Sequence, residues 1–378
     1  MRILHVHSGN LYGGVERMLA PFARTSRRAP SEHQFALCFE GRLAAELRAQ
    51  GAAVEQLGEV RIREPWSIRR GRTQLRRVLE RRTFDAVICH MPWAQAVFGP
   101  AVRKPGAPLV FWMHDVATGR HWLERAARRT VPDLALCNSY YTAHTLDALY
   151  PGIARQVIYP PIEIREKKIT EEARWAIREA LDTPRSVVVI MQASRMESWK
   201  GHETHLRALG LLREAPGWVC WIVGGAQRET EARHLRRLEA LALKLGVAGR
   251  VKFCGERTEV RALMSAADIY CQPNLKPEPF GIVFGEAMAA GLPIVATRSG
   301  GVAELTGASS GWTLPANDAP ALASALRALI EDSELRLRLG RSGAARIAAL
   351  CDPQKQAGKL AAAIGSIMAR GTTTAVGR

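Results

Sequence analysis

Short, nearly continuous apolar runs recur along this chain, each followed by a stretch with helical spacing. In the first half they are Ile3 to His7, Phe35 to Phe39, Phe84 to His90, Leu109 to His114 and Leu134 to Asn138, with Gln156 to Ile162 as a last short strand. In the second half they are Ser186 to Ala193, Trp218 to Gly225, Val251 to Gly255, Asp268 to Pro273, Leu292 to Thr297 and Gly311 to Leu314. Strands without polar alternation are covered on both faces, and the helices between them are the crossovers a parallel sheet needs. The pattern predicts two doubly wound α/β domains. Ligands of such sheets bind beyond the carboxyl ends of the strands, so the loops after these runs are where chemistry is expected.

The stiff Tyr159-Pro160-Pro161 and the polar run Glu163 to Arg174 place a domain boundary after residue 162. The expected organisation is a first domain over 1–162, a second over 163–352, a final helix over 353–370 and a disordered tail over 371–378. No internal repeat or low-complexity segment is readable.

The chain carries 53 Lys and Arg against 36 Asp and Glu, a formal net charge of +17, which calls for an anionic partner. Nine arginines against two glutamates fall within residues 61–82, where Ile68, Leu75, Val78 and Leu79 mark the buried side of a helix. A second basic stretch, Arg120 to Arg129, sets Trp122 among Arg125, Arg128 and Arg129 and has the composition of a helix lying on anionic lipid. No helix-turn-helix, zinc or ribonucleoprotein signature accompanies the charge, so a specific nucleic-acid partner is not expected. The seven cysteines lie mostly in apolar strand runs without a Cys-x-x-Cys pair, as in a reduced, cytoplasmic protein. The N-terminus reads as a strand rather than a signal peptide, and no apolar run approaches the roughly 18–20 residues of a membrane span. Membrane contact is therefore expected to be peripheral, at the inner face.

The richest loop is Pro277-Glu278-Pro279-Phe280-Gly281-Ile282-Val283-Phe284-Gly285-Glu286, between two strand runs. Glu278 precedes a proline and stays out of helical geometry. A helix is expected from about Gly281, with Glu286 inside it. Its first turn offers unpaired backbone N–H groups and a positive dipole end, a ready anion site. A phosphate there, with a carboxylate on either side, suits a diphosphate bearing hydroxyls at both ends, which is a nucleotide-sugar. Arg195 and Lys200 follow another strand and precede a helix, where cations hold a diphosphate. Gly13-Gly14 opens the first helix, and its amides face a phosphate or sugar or merely make a tight turn. His90 and His114 both end strands. His202-Glu203-Thr204-His205 lacks the spacing of a zinc-protease motif and reads as an ordinary helix start.

The Glu-Pro-Phe-Gly run, with a second glutamate eight positions on in an Ala/Met/Gly-rich helix, resembles the signature of retaining glycosyltransferases of family 4. The resemblance spans nearly the whole chain and is more specific in the second half. It implies the GT-B fold, two Rossmann-like domains facing a deep cleft, with the final helix crossing back to the first domain. It implies that Gly13 and Gly14 face the donor phosphate and that His114 contacts the transferred sugar. Arg195 and Lys200 would hold the diphosphate with the helix start at Phe280, Gly281 and Ile282; Glu278 would bind sugar hydroxyls and Glu286 the ribose. The usual Gly-Arg pair is here Ser194-Arg195, and Tyr159-Pro160-Pro161 stands where Pro-Asn-Gly is common.

The expected activity is hexosyl transfer with retention, from a UDP-hexose or GDP-mannose donor to a glycan or lipid-linked acceptor, in polysaccharide or glycolipid biosynthesis. No metal or other cofactor is expected, since cations take the metal's place and no Asp-x-Asp pair is present. Two other readings compete. One is a glycoside hydrolase with Glu278 and Glu286 as acid and base, which requires carboxyls facing each other across a bond. The other is a non-catalytic nucleotide-sugar or polyanion binder.

Overall fold

A computed structural model of the protein describes residues 1–11, 13–25, 31–103, 107–164 and 169–375. The chain forms two compact units, one of Met1–Ile162 with Cys351–Arg378, the other of Glu163–Leu350.

The first unit holds seven strands: β1 (Arg2–His7), β2 (Glu32–Leu37), β3 (Val54–Gln56), β4 (Ala86–His90), β5 (Leu109–Met113), β6 (Leu134–Cys137) and β7 (Arg155–Val157). They pair in parallel in the order β3-β2-β1-β4-β5-β6-β7. The second unit holds β8 (Val188–Ala193), β9 (Trp218–Val223), β10 (Val251–Gly255), β11 (Ile269–Gln272), β12 (Ile294–Thr297) and β13 (Gly311–Leu314), also parallel, in the order β10-β9-β8-β11-β12-β13. Each sheet reverses its winding once, between β1 and β4 and between β8 and β11. Loops after such a pair of strands diverge to opposite faces and leave a crevice for a ligand.

Helices cover both sheets, as the apolar strands require. Their starts are fixed by short polar caps: Thr170 Oγ1 accepts from the Ala173 amide at 3.2 Å and Asp318 Oδ1 from the Ala321 amide at 2.9 Å. Trp218 and Trp221 are fully buried in the second unit and spend their indole N–H groups on Leu212 O and Thr183 Oγ1.

The structure departs from the sequence reading in four places. The strand β3 was not expected, because Val54-Glu55-Gln56 carries a single apolar residue and sits at the sheet edge. The last strand of the first unit stops at Val157, since Pro160 and Pro161 have no N–H to give a ladder. The basic stretch around Trp122 makes a helix of only six residues, Trp122–Ala127, with Glu124 and Ala127 turned inward. The final helix runs Pro353–Ala375, through residues 371–375 of the expected disordered tail. No proline interrupts it, and each added residue gains one backbone hydrogen bond; 376–378 lie outside the described residues. That helix belongs to the first unit, tied there by Ile162 N to Cys351 O (2.9 Å) and Tyr159 N to Gln356 Oε1 (3.1 Å).

Candidate active site

In the second unit, the loops after β8, β11 and β12 converge on Glu278. Lys200 Nζ lies 2.8 Å from Glu278 Oε2, and Asn274 Nδ2 donates to the same oxygen at 2.8 Å. Glu278 Oε1 makes no hydrogen bond among the described residues, so it is open to a hydroxyl donor. Behind Asn274 runs a buried polar chain: Gln272 Nε2 donates to Asn274 Oδ1 at 3.0 Å, and Tyr270 Oη to Gln272 Oε1 at 2.7 Å. Each buried group is satisfied by the next, which holds the acid in one orientation.

The loops can meet because glycine lets backbone touch backbone. Gly201 has φ +75°, and a Cβ there would lie 1.8 Å from Pro273 O. Gly300 has φ +74°, and a Cβ there would lie 2.1 Å from Glu278 O, while the Gly301 amide donates to that carbonyl at 2.8 Å. Leu275 N to Trp199 O (2.7 Å) joins the first two loops, and Gln192 Nε2 to Lys200 O (2.9 Å) ties the first of them back to β8.

Lys200 is held from a second side. Its ammonium sits 3.7 Å from the Trp199 ring centroid, a cation–π contact. Trp199 Nε1 donates to Glu197 Oε2 at 3.1 Å, and Glu197 Oε1 pairs with Arg195 at 2.7 Å. Arg195 is therefore engaged with Glu197 at the exposed rim, while Lys200 alone of the two expected cations reaches Glu278. Glu197, Trp199, Asn274 and Gln272 were not singled out from sequence. Their signal was present only as position: all lie in or just before the loops after β8 and β11.

The helix Ile282–Ala289 begins at Gly281, whose φ of +86° makes it the left-handed entry residue. Its first backbone donor to Gly281 O is Phe284, so the amides of Ile282 and Val283 precede the intrahelical ladder and point from the helix start. Phe280 is buried and Phe284 fully so, which anchors this turn. Glu286 lies within the helix with its side chain 1% exposed, and its Oε1 accepts from Arg261 Nε at 3.2 Å. A carboxylate buried against an arginine is not placed to act as a general base, which counts against the hydrolase reading.

In the first unit, His114 is buried just past β5, with Nε2 against His90 Nδ1 at 2.9 Å and its carbonyl accepting from Asn138 Nδ2. Gly13 is exposed, but its amide already donates to Glu16 Oε2 at 2.8 Å, and Glu16 Oε1 pairs with His7 Nε2 at 2.7 Å. An acidic residue in the helix's first turn thus caps the Gly13 amide. Gly14 opens the helix as expected. His202 and His205 are buried in the helix His202–Leu211, bonded to Ser194 Oγ and Gln192 Oε1. Among the described residues no group of three or more His, Cys, Asp or Glu is arranged to hold a metal.

The family described as "Glycosyl transferases group 1" matches residues 173–346, and "Glycosyltransferase Family 4" matches 12–166. A GDP-mannose-dependent alpha-(1-6)-phosphatidylinositol monomannoside mannosyltransferase of Mycolicibacterium smegmatis is 30% identical over 66% of this chain and 68% of its own. The lipopolysaccharide core biosynthesis glycosyltransferase LpsE of Rhizobium meliloti is 34% identical over 44% of this chain, a match spanning only 46% of that protein. Among solved structures, HepE of Anabaena in complex with UDP-glucose superposes with a TM-score of 0.84 at 24% identity, over 97% of this chain and 100% of that one. The lipopolysaccharide glycosyltransferase WaaG gives 0.67 at 18% identity, over 94% and 98%. These likenesses identify the two Rossmann-like units as the GT-B fold.

Proposed function

Because the chain belongs to the group 1 glycosyltransferases, we propose that it moves a hexosyl group, with retention, from a nucleotide diphosphate sugar to a glycan or lipid-linked acceptor. The observation that carries this reading is the Lys200–Glu278 pair at the carboxyl ends of β8 and β11. It sets a cation and a carboxylate together at the crevice where a parallel sheet reverses its winding.

In the reaction, the bond from the anomeric carbon to the diphosphate oxygen breaks and a bond to the acceptor oxygen forms on the same face. The acceptor's proton passes to the departing diphosphate, which acts as the base. Negative charge builds on that diphosphate, which Lys200 and the amides of Ile282 and Val283 meet, with Arg195 reaching it from the rim once it leaves Glu197. Such preset donors work by stabilising charge that grows in the transition state. Glu278 Oε1 takes a sugar hydroxyl, and the ribose hydroxyls take Arg261's place on Glu286. Fixed cations take the role of a metal, so Mg²⁺ is dispensable.

Two donor classes have support from relatives: the mannosyltransferase is named as GDP-mannose-dependent, and HepE was solved with UDP-glucose. The acceptor reading draws on the lipopolysaccharide and phosphatidylinositol relatives. On this reading the enzyme works in the cytoplasm and touches the inner membrane face through exposed Trp66, Trp122 and nearby arginines. Thermal-shift measurements with UDP, GDP, ADP, CDP and their hexose conjugates, with and without EDTA, test the donor reading. A shift with one diphosphate series that survives EDTA supports it; no shift with any nucleotide overturns it.

A further inference from the structure

Four histidines of the first unit form one line of ring-to-ring hydrogen bonds. His33 Nδ1 lies 2.8 Å from His5 Nε2, His5 Nδ1 lies 3.0 Å from His90 Nε2, and His90 Nδ1 lies 2.9 Å from His114 Nε2. The sheet register produces this line. Strands β2, β1, β4 and β5 are neighbours, and each supplies one ring, the last just beyond its end. His33 stands opposite Ile3, and His5 is two residues on; His5 stands opposite Ile88, and His90 is two on; His90 stands opposite Trp112, and His114 is two on. Residues two apart on a strand share a face, and diagonal neighbours are within reach of long side chains. The rings therefore climb one face diagonally, from the second residue of β2 to just past the carboxyl end of β5. Phe35 stacks on His5 at 5.1 Å, and Trp112 on both His90 and His114 at 5.5 Å.

All four rings are buried, and burial keeps them neutral. A neutral imidazole has one N–H and one acceptor nitrogen. Every link here joins an Nδ1 to an Nε2. Each link then holds one hydrogen only if all four rings carry the same tautomer. With every ring Nδ1–H, the line donates from His33 towards His114, and His114 Nδ1 is a donor. With every ring Nε2–H, the line donates the other way, and His114 Nδ1 is an acceptor. One ring out of step would set two lone pairs or two hydrogens face to face in a dry site, at the cost of an unmade buried hydrogen bond.

We propose that His33, His5 and His90 are positioning residues which, by sharing one tautomer with His114, set the hydrogen-bonding polarity of its Nδ1 from across the sheet. No described residue makes a hydrogen bond with that nitrogen, and it lies where ligands meet such sheets. That it meets a hydroxyl of the transferred sugar rests on the glycosyltransferase reading; the common tautomer does not.

The test is nitrogen NMR of the full chain labelled at histidine, without nucleotide, assigned by single substitutions. The wild type is expected to show one tautomer in all four rings. Removing His33 forces the choice, because a buried acceptor left empty costs less than a buried N–H left without a partner. His33→Phe leaves His5 Nε2 facing nothing, so His5, His90 and His114 become Nδ1–H. His5 or His90 protonated at Nε2 in that variant, or a mixture of tautomers along the wild-type line, overturns the proposal. The wild-type spectrum decides alone if a variant does not fold, and none of these outcomes depends on a donor being found.

Discussion

Lys200 and Glu278, 78 residues apart in sequence, meet at 2.8 Å with side chains only 13% and 15% exposed. The strand order brings them together: β8 and β11 are hydrogen-bonded neighbours, and each residue sits in the loop after its strand. The carboxylate neutralises the ammonium from one side, and the Trp199 ring holds it from the other.

Glu278→Gln should separate the two roles of this acid. The amide keeps the shape and can still accept from Asn274, but it leaves Lys200 a cation without its carboxylate. Removing one partner of a mostly buried pair is expected to lower stability by about 1–3 kcal/mol. A nucleotide diphosphate, which supplies new negative charge beside Lys200, should bind as well or better, while transfer falls. Weaker diphosphate binding in this variant would argue that Glu278 orients Lys200 rather than meeting the sugar.

Gly201→Ala is expected to cost more than an ordinary surface change. The residue has φ +75°, and the new Cβ would fall 1.8 Å from Pro273 O, a backbone atom that cannot move without parting the two loops. The expected loss is about 2–4 kcal/mol. Thermal unfolding should show it, together with loss of nucleotide-induced stabilisation. An unchanged melting temperature would mean that the two loops are not clamped as described.

Acid should destabilise both units early. Burial pushes His33 down to about 4, His114, His202 and His205 to about 3, and His5 and His90 well below their ordinary 6.5. Between those values the unfolded chain binds more protons than the folded one. This contribution is therefore complete above about pH 6.5 and falls as pH drops; for His33, His114, His202 and His205 it levels off below about pH 3. Each histidine adds a slope of at most about 1.4 kcal/mol per pH unit. Melting temperatures that stay flat between about pH 7 and pH 5 would contradict the neutral buried rings.

Much of the fold was legible, because apolar strand runs and their helical partners are written in period. Val251–Gly255 and Gly311–Leu314 stand where the runs predicted. The edge strand at Val54 was not, since its residues are neither apolar nor alternating. At the site, Lys200 and Glu278 could be marked as chemistry-bearing, but their mutual contact depends on strand order, which a sequence does not print. The partners that orient them, Glu197, Trp199 and Asn274, look like ordinary loop residues until the loops are closed. The histidine line was half visible, as His90 and His114 at strand ends. His5 and His33 sit inside strands and join them only through the register.

The basic surface carries its own prediction. Trp122 is 50% exposed, and Arg125, Arg128 and Arg129 are exposed around it on a short helix and the turn after it. Reversing these three charges should abolish sedimentation with anionic liposomes while leaving nucleotide binding intact, at roughly 1 kcal/mol per charge near the surface. Undiminished sedimentation would remove this helix from any membrane contact.

If Lys200 holds the donor's diphosphate, calorimetric titration of the preferred nucleotide into wild type and Lys200→Ala will show it. With a charge-assisted contact worth about 1.5–3 kcal/mol, the diphosphate should bind roughly 10–150-fold more weakly to the variant. The corresponding nucleoside monophosphate should change far less. Equal loss for monophosphate and diphosphate, or no loss for either, would contradict the assignment.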